Sequence, residues 1–425
     1  MPLIDVLVCT VGGSHEPIVT ALRDLRPDHV LFVCSERDPA TGRPGSEVQI
    51  LGTGNIIKAQ PDDARPTLPN IPAQAGLPQE TFEVLRVPAD DLDVAFAVIH
   101  AALQDLRSRF PDAHVIADYT GGTKTMSSAL VTAALESGVE LQLVTGSRVD
   151  LVKVRDGTQQ VALAEVEGVR LKRAMAPLLS AWERYAYDEA AVGLSRVVIP
   201  RSAALLHRLN RARDLSAAFA AWDRFDHAEA ARLLNGYAPV VAGELGAHLG
   251  VLKALTGEHS PRREALQIWD LWLNALRRAA AGRYDDAVAR AYRVLEWTAQ
   301  WILKTHVNLD TSDLPADKTN RLVQPNRDGK YQAGLFAAWQ LVALHTGGAG
   351  AKFFAGESKG LLDQLRKRNE SILAHGFRPV GRADWDTMCG WLEGRFIPAL
   401  REELTAAGQK QVFPQLPNTY HWDAG

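Results

Sequence analysis

The C-terminal part of the sequence contains an arginine followed seven residues later by a histidine. Arg368 opens the run Arg-Asn-Glu-Ser-Ile-Leu-Ala-His, which ends at His375. Seven residues of a continuous helix turn by about 700°, so this spacing predicts both side chains on one helix face. Histidine transfers protons near neutral pH, and arginine stabilises negative charge that develops on phosphorus. The pair fits metal-free RNA cleavage, in which a ribose 2′-OH attacks the adjacent phosphate.

The same spacing also fits a surface arginine and a histidine at a helix end. An identical interval separates Arg107 from His114, where Pro111 interrupts any helix. The C-terminal pair differs because its neighbours in sequence are cationic, and a cationic surface favours nucleic acid. These neighbours are Arg366, Lys367, Arg378 and Arg382, against Glu370.

Two glycine turns follow predicted strands near the N-terminus. Glycine lets backbone N–H groups approach a phosphate, while hydroxyl groups and a lysine add donors and positive charge. Neither turn has the GxGxxG spacing of dinucleotide-binding folds or the GxxxxGK[ST] spacing of a P-loop. The turns therefore favour a nucleotide-like anion, and the alternative is that they are tight strand-to-helix turns with no ligand. The candidate ligand-binding residues are Thr10, Gly12, Gly13, Ser14, Thr120, Gly121, Gly122, Thr123 and Lys124.

Ser35 and Glu36 follow a third predicted strand and join the same candidate site. Carboxyl ends of parallel strands lie at one edge of a sheet, where open α/β sheets bind their ligands. His207, His306 and His345 have no partners at metal-ligand spacing, so we predict no metal site.

Alternating apolar runs predict the elements that position these turns. Strands are predicted at 3–10, 29–34, 81–87, 114–118 and 140–145, and helices at 17–25, 92–110 and 125–137. This alternation predicts an α/β domain over residues 1–170, with a Rossmann-like parallel sheet and helices on both faces. We also predict a closing hairpin around Asp156 and Gly157, and a long loop at 52–80.

After Arg170 the pattern predicts helices only. AWERYAYDEAA at 181–191 recurs as AWDRFDHAEAA at 221–231, and a shorter relative begins at Gly282. Two full copies are too few for a solenoid, so we predict a helical connector at 171–258. An all-α domain is predicted at 259–425, with helices at 265–280 and 287–303, a polar loop at 308–330 and an irregular tail after Val412.

Composition narrows the class of protein. The 425 residues carry a formal net charge of −3, which excludes a strongly basic nucleic-acid-binding protein. Cys9, Cys34 and Cys389 lie far apart and are predicted to be buried, reduced thiols. No signal-peptide pattern and no run of eighteen apolar residues is present, so we expect a cytoplasmic protein that does not enter a membrane.

The two motifs, in this order, resemble the CARF–HEPN ancillary ribonucleases of type III CRISPR systems. The strand followed by TVGGS and the run DYTGGTKTMSSAL at 118–130 resemble the paired glycine motifs of a CARF (CRISPR-associated Rossmann fold) domain. RNESILAHGF at 368–377 resembles the HEPN motif, with six residues between arginine and histidine. The resemblance covers 1–170 and roughly 260–405.

The resemblance implies a homodimer that binds a cyclic oligoadenylate and then cleaves single-stranded RNA in antiviral defence. It assigns catalysis to Arg368, Asn369 and His375, and ligand binding to the two glycine turns. It favours cyclic tetra-adenylate as activator, with cyclic hexa-adenylate second. The cleavage would be metal-independent and leave a 2′,3′-cyclic phosphate.

Two other functions stay open from the sequence. The HEPN domain could hold RNA or a partner without cutting it, as part of a ligand-gated regulator. The first domain could itself degrade the cyclic activator, as some CARF domains do. The sequence leaves open RNA base preference and any assembly beyond a dimer.

Overall fold

A computed structural model describes residues 5–38, 41–42, 44–52, 68–146, 159–369, 372, 376–409 and 412–422. The chain divides into two compact units, Met1–Arg170 and Leu171–Gly425.

The described residues of the first unit form a six-stranded sheet with the order β3-β2-β1-β4-β5-β6. Every neighbouring pair is parallel except β5 and β6, which are antiparallel. This confirms the predicted Rossmann-like sheet. The strands are β1 Asp5–Val11, β2 His29–Ser35, β3 Phe82–Val87, β4 His114–Asp118, β5 Glu140–Thr145 and β6 Gln160–Leu163.

Helices cover both faces of this sheet, as the alternating strands require. Val6 and Val8 of β1 face one hydrophobic core, whereas Leu7 and Cys9 face the other. The first core lies under α4 and α5, and the second under α1. The helices of this unit are α1 Glu16–Leu25, α2 Val48–Leu51, α3 Ile71–Ala75, α4 Leu92–Arg109 and α5 Lys124–Ser137.

The prediction of a long loop at 52–80 is wrong for its second half, which contains the short helix α3. Asn70 caps α3 by accepting a hydrogen bond from the Ala73 N–H at 3.0 Å, and Pro72 suits the first helical turn. A short 3₁₀ turn, Gln79–Thr81, follows. Residues 53–67 and the hairpin residues Asp156 and Gly157 lie outside the described residues.

The second unit is helical throughout its described elements, as predicted. A 3₁₀ turn at Ser180–Arg184 precedes α7, and a π-helical turn at Leu392–Phe396 joins the last two helices. The helices that lead into this unit and form it are α6 Glu167–Leu179, α7 Tyr187–Leu194, α8 Ala203–Asp223, α9 His227–Gly236, α10 Ala238–Leu255, α11 Pro261–Ala280, α12 Tyr284–Val307, α13 Leu335–His345, α14 Ala349–Asn369, α15 Arg382–Trp391 and α16 Ile397–Ala406.

The repeated sequence marks three copies of one helix-ending turn. Tyr185, Phe225 and Gly282 occupy equivalent positions, and all three have positive φ, at 58°, 64° and 75°. In each copy the next residue donates its N–H to the carbonyl five positions back, which is the Schellman pattern of helix termination. The repeat therefore encodes sharp helix-to-helix connections.

A buried polar network joins α8, α9 and α11. The Arg277 guanidinium, fully buried, donates to Asp223 at 2.7 Å and to Asp270 at 3.3 Å. Asp270 is also fully buried and hydrogen-bonds His227 at 2.9 Å and the Trp222 indole N–H at 3.0 Å. Each buried charge thus has an opposite charge beside it, which burial of ions requires.

The tail after Val412 has no regular element in its described residues, as predicted, yet it packs against the helices. Phe413, Leu416 and Trp422 are buried in the hydrophobic core. Gln415 accepts a hydrogen bond from Arg277 at 2.7 Å and donates one to the Leu273 carbonyl at 2.9 Å. The tail is therefore an integral part of the helical unit.

One helix among the described residues, α10, is long and apolar enough to cross a membrane by length and composition. Such a helix is weak evidence for a membrane span, because core helices pass the same test. Val241, Leu245 and Leu252 are buried in the core, and His248 hydrogen-bonds the Gln415 carbonyl at 3.1 Å. One face of α10 therefore packs against the rest of the second unit, while much of the helix is exposed.

The cysteine prediction holds for two of three residues. Cys9 and Cys34 are buried and free, but Cys389 is only partly buried. It lies on α15, where Trp385 and Met388 face the core instead. Burial raises the pKa of the Cys34 thiol to about 12.

Replacing Arg277 by methionine should lower the free energy of unfolding of the second unit by about 3–5 kcal/mol, because the Asp270 carboxylate loses its buried cation. All ten tryptophans follow Arg170, so tryptophan fluorescence during urea unfolding reports on this unit. Arg184→Met is the control, since Arg184 forms an exposed pair with Glu189. Equal shifts in the two variants would contradict the assigned role of the network.

Candidate ligand-binding edge and candidate nuclease motif

The two glycine turns meet at the point where the strand order of the sheet reverses. β1 lies between β2 and β4, and Cys9 pairs with Asp118 in the parallel register of β1 and β4. The turns that follow β1 and β4 therefore leave the sheet side by side. In open α/β sheets, this switch point is where a crevice for ligands forms.

The backbones of the two turns touch so closely that side chains are excluded. A Cβ atom on Gly121 would lie 2.2 Å from the Thr10 carbonyl oxygen, and one on Gly12 would lie 2.6 Å from the Gly122 nitrogen. Gly122 also has a φ of +83°, which favours glycine. The Thr10 hydroxyl donates to the Gly121 carbonyl at 2.7 Å. We call these four residues the glycine contact.

Polar groups on the outer side of the glycine contact are open to solvent. Gly13 and Ser14 are exposed, and no heavy atom lies within 4 Å of a Cβ placed on Gly13. Lys124 is exposed at the start of α5, whose N-terminal N–H groups favour anions. Gly13, Ser14 and Lys124 thus form an accessible rim, whereas the residues of the glycine contact are partly or fully buried.

The threonine side chains of the second turn are engaged in structural hydrogen bonds. Thr120 accepts from the Val144 N–H at 2.7 Å, which ties the turn to β5. Thr123 donates to the Ala89 carbonyl at 2.6 Å and caps α5 by accepting from the Met126 N–H. Both hydroxyls hold the turn in place, so a bound anion would meet chiefly its backbone.

Asp118 is a buried carboxyl group directly under the second turn. It is 3% exposed and accepts hydrogen bonds from the Thr120 N–H at 2.9 Å and from the Gln142 amide at 3.1 Å. Burial raises the pKa of this carboxyl above its usual range, because the ion loses its hydration, and the two hydrogen bonds act in the opposite direction. Asp118 fixes the turn rather than facing ligand.

Ser35 and Glu36 lie at the same edge, on the side of β2. Ser35 exchanges hydrogen bonds with Ser46, at 2.8 Å each from backbone N–H to hydroxyl oxygen, so its hydroxyl is engaged, whereas Glu36 is exposed. Gln49 of α2, 1% exposed, donates to the Gly12 carbonyl at 2.6 Å. Gln49 is a residue that sequence reasoning missed, because this contact spans 37 positions without any motif.

The predicted catalytic residues lie at the end of α14. Arg368 is in the last turn of this helix, Asn369 is its final residue and is exposed, and His375 lies outside the described residues. Ile372 is in a turn and donates its N–H to the Arg378 carbonyl at 3.0 Å. The prediction that Arg368 and His375 share one helix face stays a prediction, because His375 lies outside the described residues.

The predicted basic patch contains more acidic groups than the sequence suggested. Arg378 forms a two-pronged pair with Asp384, with both distances 3.1 Å. Arg382 lies 3.7 Å from Asp386, and Arg366 lies 4.0 Å from Asp363. All three arginines are highly exposed, so solvent screens the pairs, yet they reduce the positive potential that a count of arginines implies.

Among the described residues, no group of three or more His, Cys, Asp or Glu side chains is arranged to hold a metal ion.

Changing Gly121 to alanine should loosen the first unit, because the new Cβ would force β1 and β4 apart. Overpacking costs about 1–3 kcal/mol, so labelling of the buried Cys9 thiol should become about 5- to 150-fold faster. The site of labelling is identified by mass spectrometry of peptides. Gly13→Ala is the matched control and should label at the wild-type rate, because nothing lies within 4 Å of its Cβ. Similar rates in both variants would contradict the glycine contact.

Comparison with known proteins identifies the helical part of the chain. Residues 258–394 match the family described as the Csm6 HEPN domain. A search of curated proteins gives no significant match.

Solved structures support a similarity in fold over the whole chain. Csm6 from Enterococcus italicus, bound to cyclic hexa-2′-fluoro-hexa-dAMP, matches with a TM-score of 0.57 and 12% identity, covering 96% of this chain and 95% of that one. Can2 from Sulfobacillus thermosulfidooxidans, in complex with cyclic tetra-adenylate, matches over 50% of this chain and 56% of that one, at 14% identity and a TM-score of 0.25, which is too low for an argument about fold. The match of residues 258–394 to the Csm6 HEPN family and the similarity in fold to a Csm6 protein both support the resemblance to the CARF–HEPN proteins of type III CRISPR systems.

Proposed function

We propose that this protein is an endoribonuclease, activated by a cyclic oligoadenylate, that cleaves single-stranded RNA in type III CRISPR antiviral defence. The observation that carries this proposal is the match of residues 258–394 to the Csm6 HEPN domain, because that stretch contains Arg368 and His375. The similarity in fold to a Csm6 bound to a cyclic hexanucleotide analogue supports a nucleotide activator.

The rim of the switch-point crevice suits the phosphates of such a ring. Gly13 presents backbone that nothing covers, Ser14 has an exposed hydroxyl, and Lys124 supplies a cation at a helix N-terminus. A cyclic oligoadenylate has rotational symmetry, so two copies of this rim in a homodimer would contact equivalent phosphates. Cyclic tetra-adenylate is the first candidate and cyclic hexa-adenylate the second.

Residues of the HEPN motif supply the groups that 2′-OH transesterification needs. A histidine accepts the proton of the 2′-OH as its oxygen bonds to phosphorus, and the bond from phosphorus to the 5′-oxygen breaks as that oxygen is protonated. We assign both transfers to His375, which accepts the 2′-OH proton and then donates a proton from its imidazolium to the departing 5′-oxygen. Arg368 stabilises the charge on the phosphorane, and Asn369 positions the phosphate. The products are a 2′,3′-cyclic phosphate and a 5′-hydroxyl, and the reaction requires no metal ion.

Replacing His375 by alanine should reduce RNA cleavage by about 10²- to 10⁴-fold, because proton transfer is lost. Binding of the cyclic oligoadenylate should remain unchanged, because residues of the first unit supply the rim. RNA cleavage is measured on gels in the presence of EDTA, and binding is measured by titration with labelled cyclic tetra-adenylate and labelled cyclic hexa-adenylate.

His259→Ala is the control, since His259 is an exposed histidine in the same unit, between α10 and α11. Full activity of His375→Ala would remove the catalytic assignment. Ring binding by a wild-type protein that cleaves no RNA would indicate a regulator instead of a nuclease, and loss of the ring during incubation would indicate degradation of the activator.

A further inference from the structure

Phe377, the last residue of the run that resembles the HEPN motif, is almost entirely exposed. It is 94% exposed, which is the highest value among the large hydrophobic side chains described. Ile372, in the same turn, is 55% exposed. Single exposed apolar residues are common on protein surfaces, so exposure alone assigns no role to Phe377.

The backbone that presents Phe377 is anchored on both sides. The Ile372 N–H donates to the Arg378 carbonyl at 3.0 Å, and the Arg378 side chain is held by Asp384. Two residues further on, the Val380 N–H donates to the Asp285 carboxylate of α12 at 3.0 Å. The Phe377 side chain is thus exposed to solvent, whereas the backbone near it is held by hydrogen bonds.

We propose that Phe377 stacks on an unpaired base of the RNA held for cleavage. This inference rests on the proposed function and extends it to substrate recognition. Phe377 is two residues from His375, a chain distance of at most about 7 Å, so its ring lies within reach of a nucleotide whose phosphate is at the histidine. A base in a duplex has both faces covered, whereas an unpaired base offers a free face to the ring.

The electrostatics of the surroundings favour stacking over simple charge attraction. Arg378 and Arg382 are paired with Asp384 and Asp386, so the surface around the ring is less basic than its arginines imply. Stacking of a base on an aromatic ring requires no net charge and accepts every base type. Phe377 therefore selects single-stranded RNA without selecting its sequence.

Stacking predicts a rise in KM for single-stranded RNA when the ring is removed. Phe377→Ala should raise KM by about 5- to 100-fold, with kcat nearly unchanged, because the contact exists both before and during the reaction. Phe377→Tyr should preserve the wild-type KM, whereas Phe377→Leu, which is apolar but has no aromatic face, should resemble Phe377→Ala. Ile199→Ala, which alters another highly exposed apolar side chain, is the control.

A set of RNA substrates with one abasic position each tests the contact directly. Wild-type protein should lose affinity when the abasic position is the one that meets Phe377, and this loss should vanish in Phe377→Ala. Equal losses in both proteins at every position would overturn the proposal. Sedimentation of each variant tests the alternative that Phe377 contacts a second copy of the chain. If Phe377→Ala converts a wild-type dimer to monomers, the Phe377 ring lies at the dimer interface and not against RNA.

Failure of this inference is distinguishable from failure of the proposed function. Suppose that wild-type protein cleaves RNA when a cyclic oligoadenylate is present, and that Phe377→Ala has an unchanged KM. This result would reject stacking and leave the proposed function standing. If wild-type protein cleaves no RNA, the stacking contact is tested by binding an RNA that contains 2-aminopurine, because stacking quenches the fluorescence of this base. Quenching that requires the Phe377 ring would support the contact, and its absence would reject it.

Discussion

The candidate ligand-binding edge depends on the contact between the backbones of Thr10 and Gly121. These residues belong to adjacent parallel strands and the turns that follow them. A Cβ on Gly121 would lie only 2.2 Å from the Thr10 carbonyl oxygen, so any residue other than glycine would require the strands to move apart. The Thr10 hydroxyl, buried and bonded to the Gly121 carbonyl, holds the turns together. Because the inner atoms are engaged in this way, the exposed groups of Gly13, Ser14 and Lys124 are the most accessible of the predicted glycine-turn residues to a ligand.

Polar contacts hold α14 at its N-terminal end and in its middle. At the N-terminal end, Glu403 of α16, 3% exposed, accepts a hydrogen bond from the Gly350 N–H at 2.8 Å. Further along, Trp391 donates to Glu357 at 3.0 Å and fits against Gly360, where a Cβ would lie 2.8 Å from the indole nitrogen. The first half of α14 is therefore anchored by these contacts, and Arg368 lies in the last turn of the same helix.

Local patterns in the sequence were sufficient for the elements but not for their mutual arrangement. The strands at 114–118 and 140–145 were predicted with their observed ends, because short apolar runs bounded by polar turns are local signals. The adjacency of β1 and β4 involves residues more than a hundred positions apart, so no local pattern encodes it. The Gln49 contact with Gly12 escaped prediction for the same reason.

Two predictions at the HEPN motif have different outcomes. The shared helix face of Arg368 and His375 stays a prediction, because His375 lies outside the described residues. A count of arginines along the chain missed Asp384 and Asp386, which the start of α15 brings against them. Each of these acids lies within six positions of its arginine, so a count of acidic and basic residues together along the chain would have indicated the weaker positive charge.

The central claim is that a cyclic oligoadenylate bound to the first unit activates metal-free RNA cleavage by the second unit. The most direct measurement compares the initial cleavage rate of a fluorophore–quencher single-stranded RNA, in excess EDTA, with and without cyclic tetra-adenylate or cyclic hexa-adenylate. Our account predicts strong cleavage only when one of these rings is present, and products that end in a 2′,3′-cyclic phosphate. Cleavage that is independent of both rings, or that is abolished by EDTA, would contradict it.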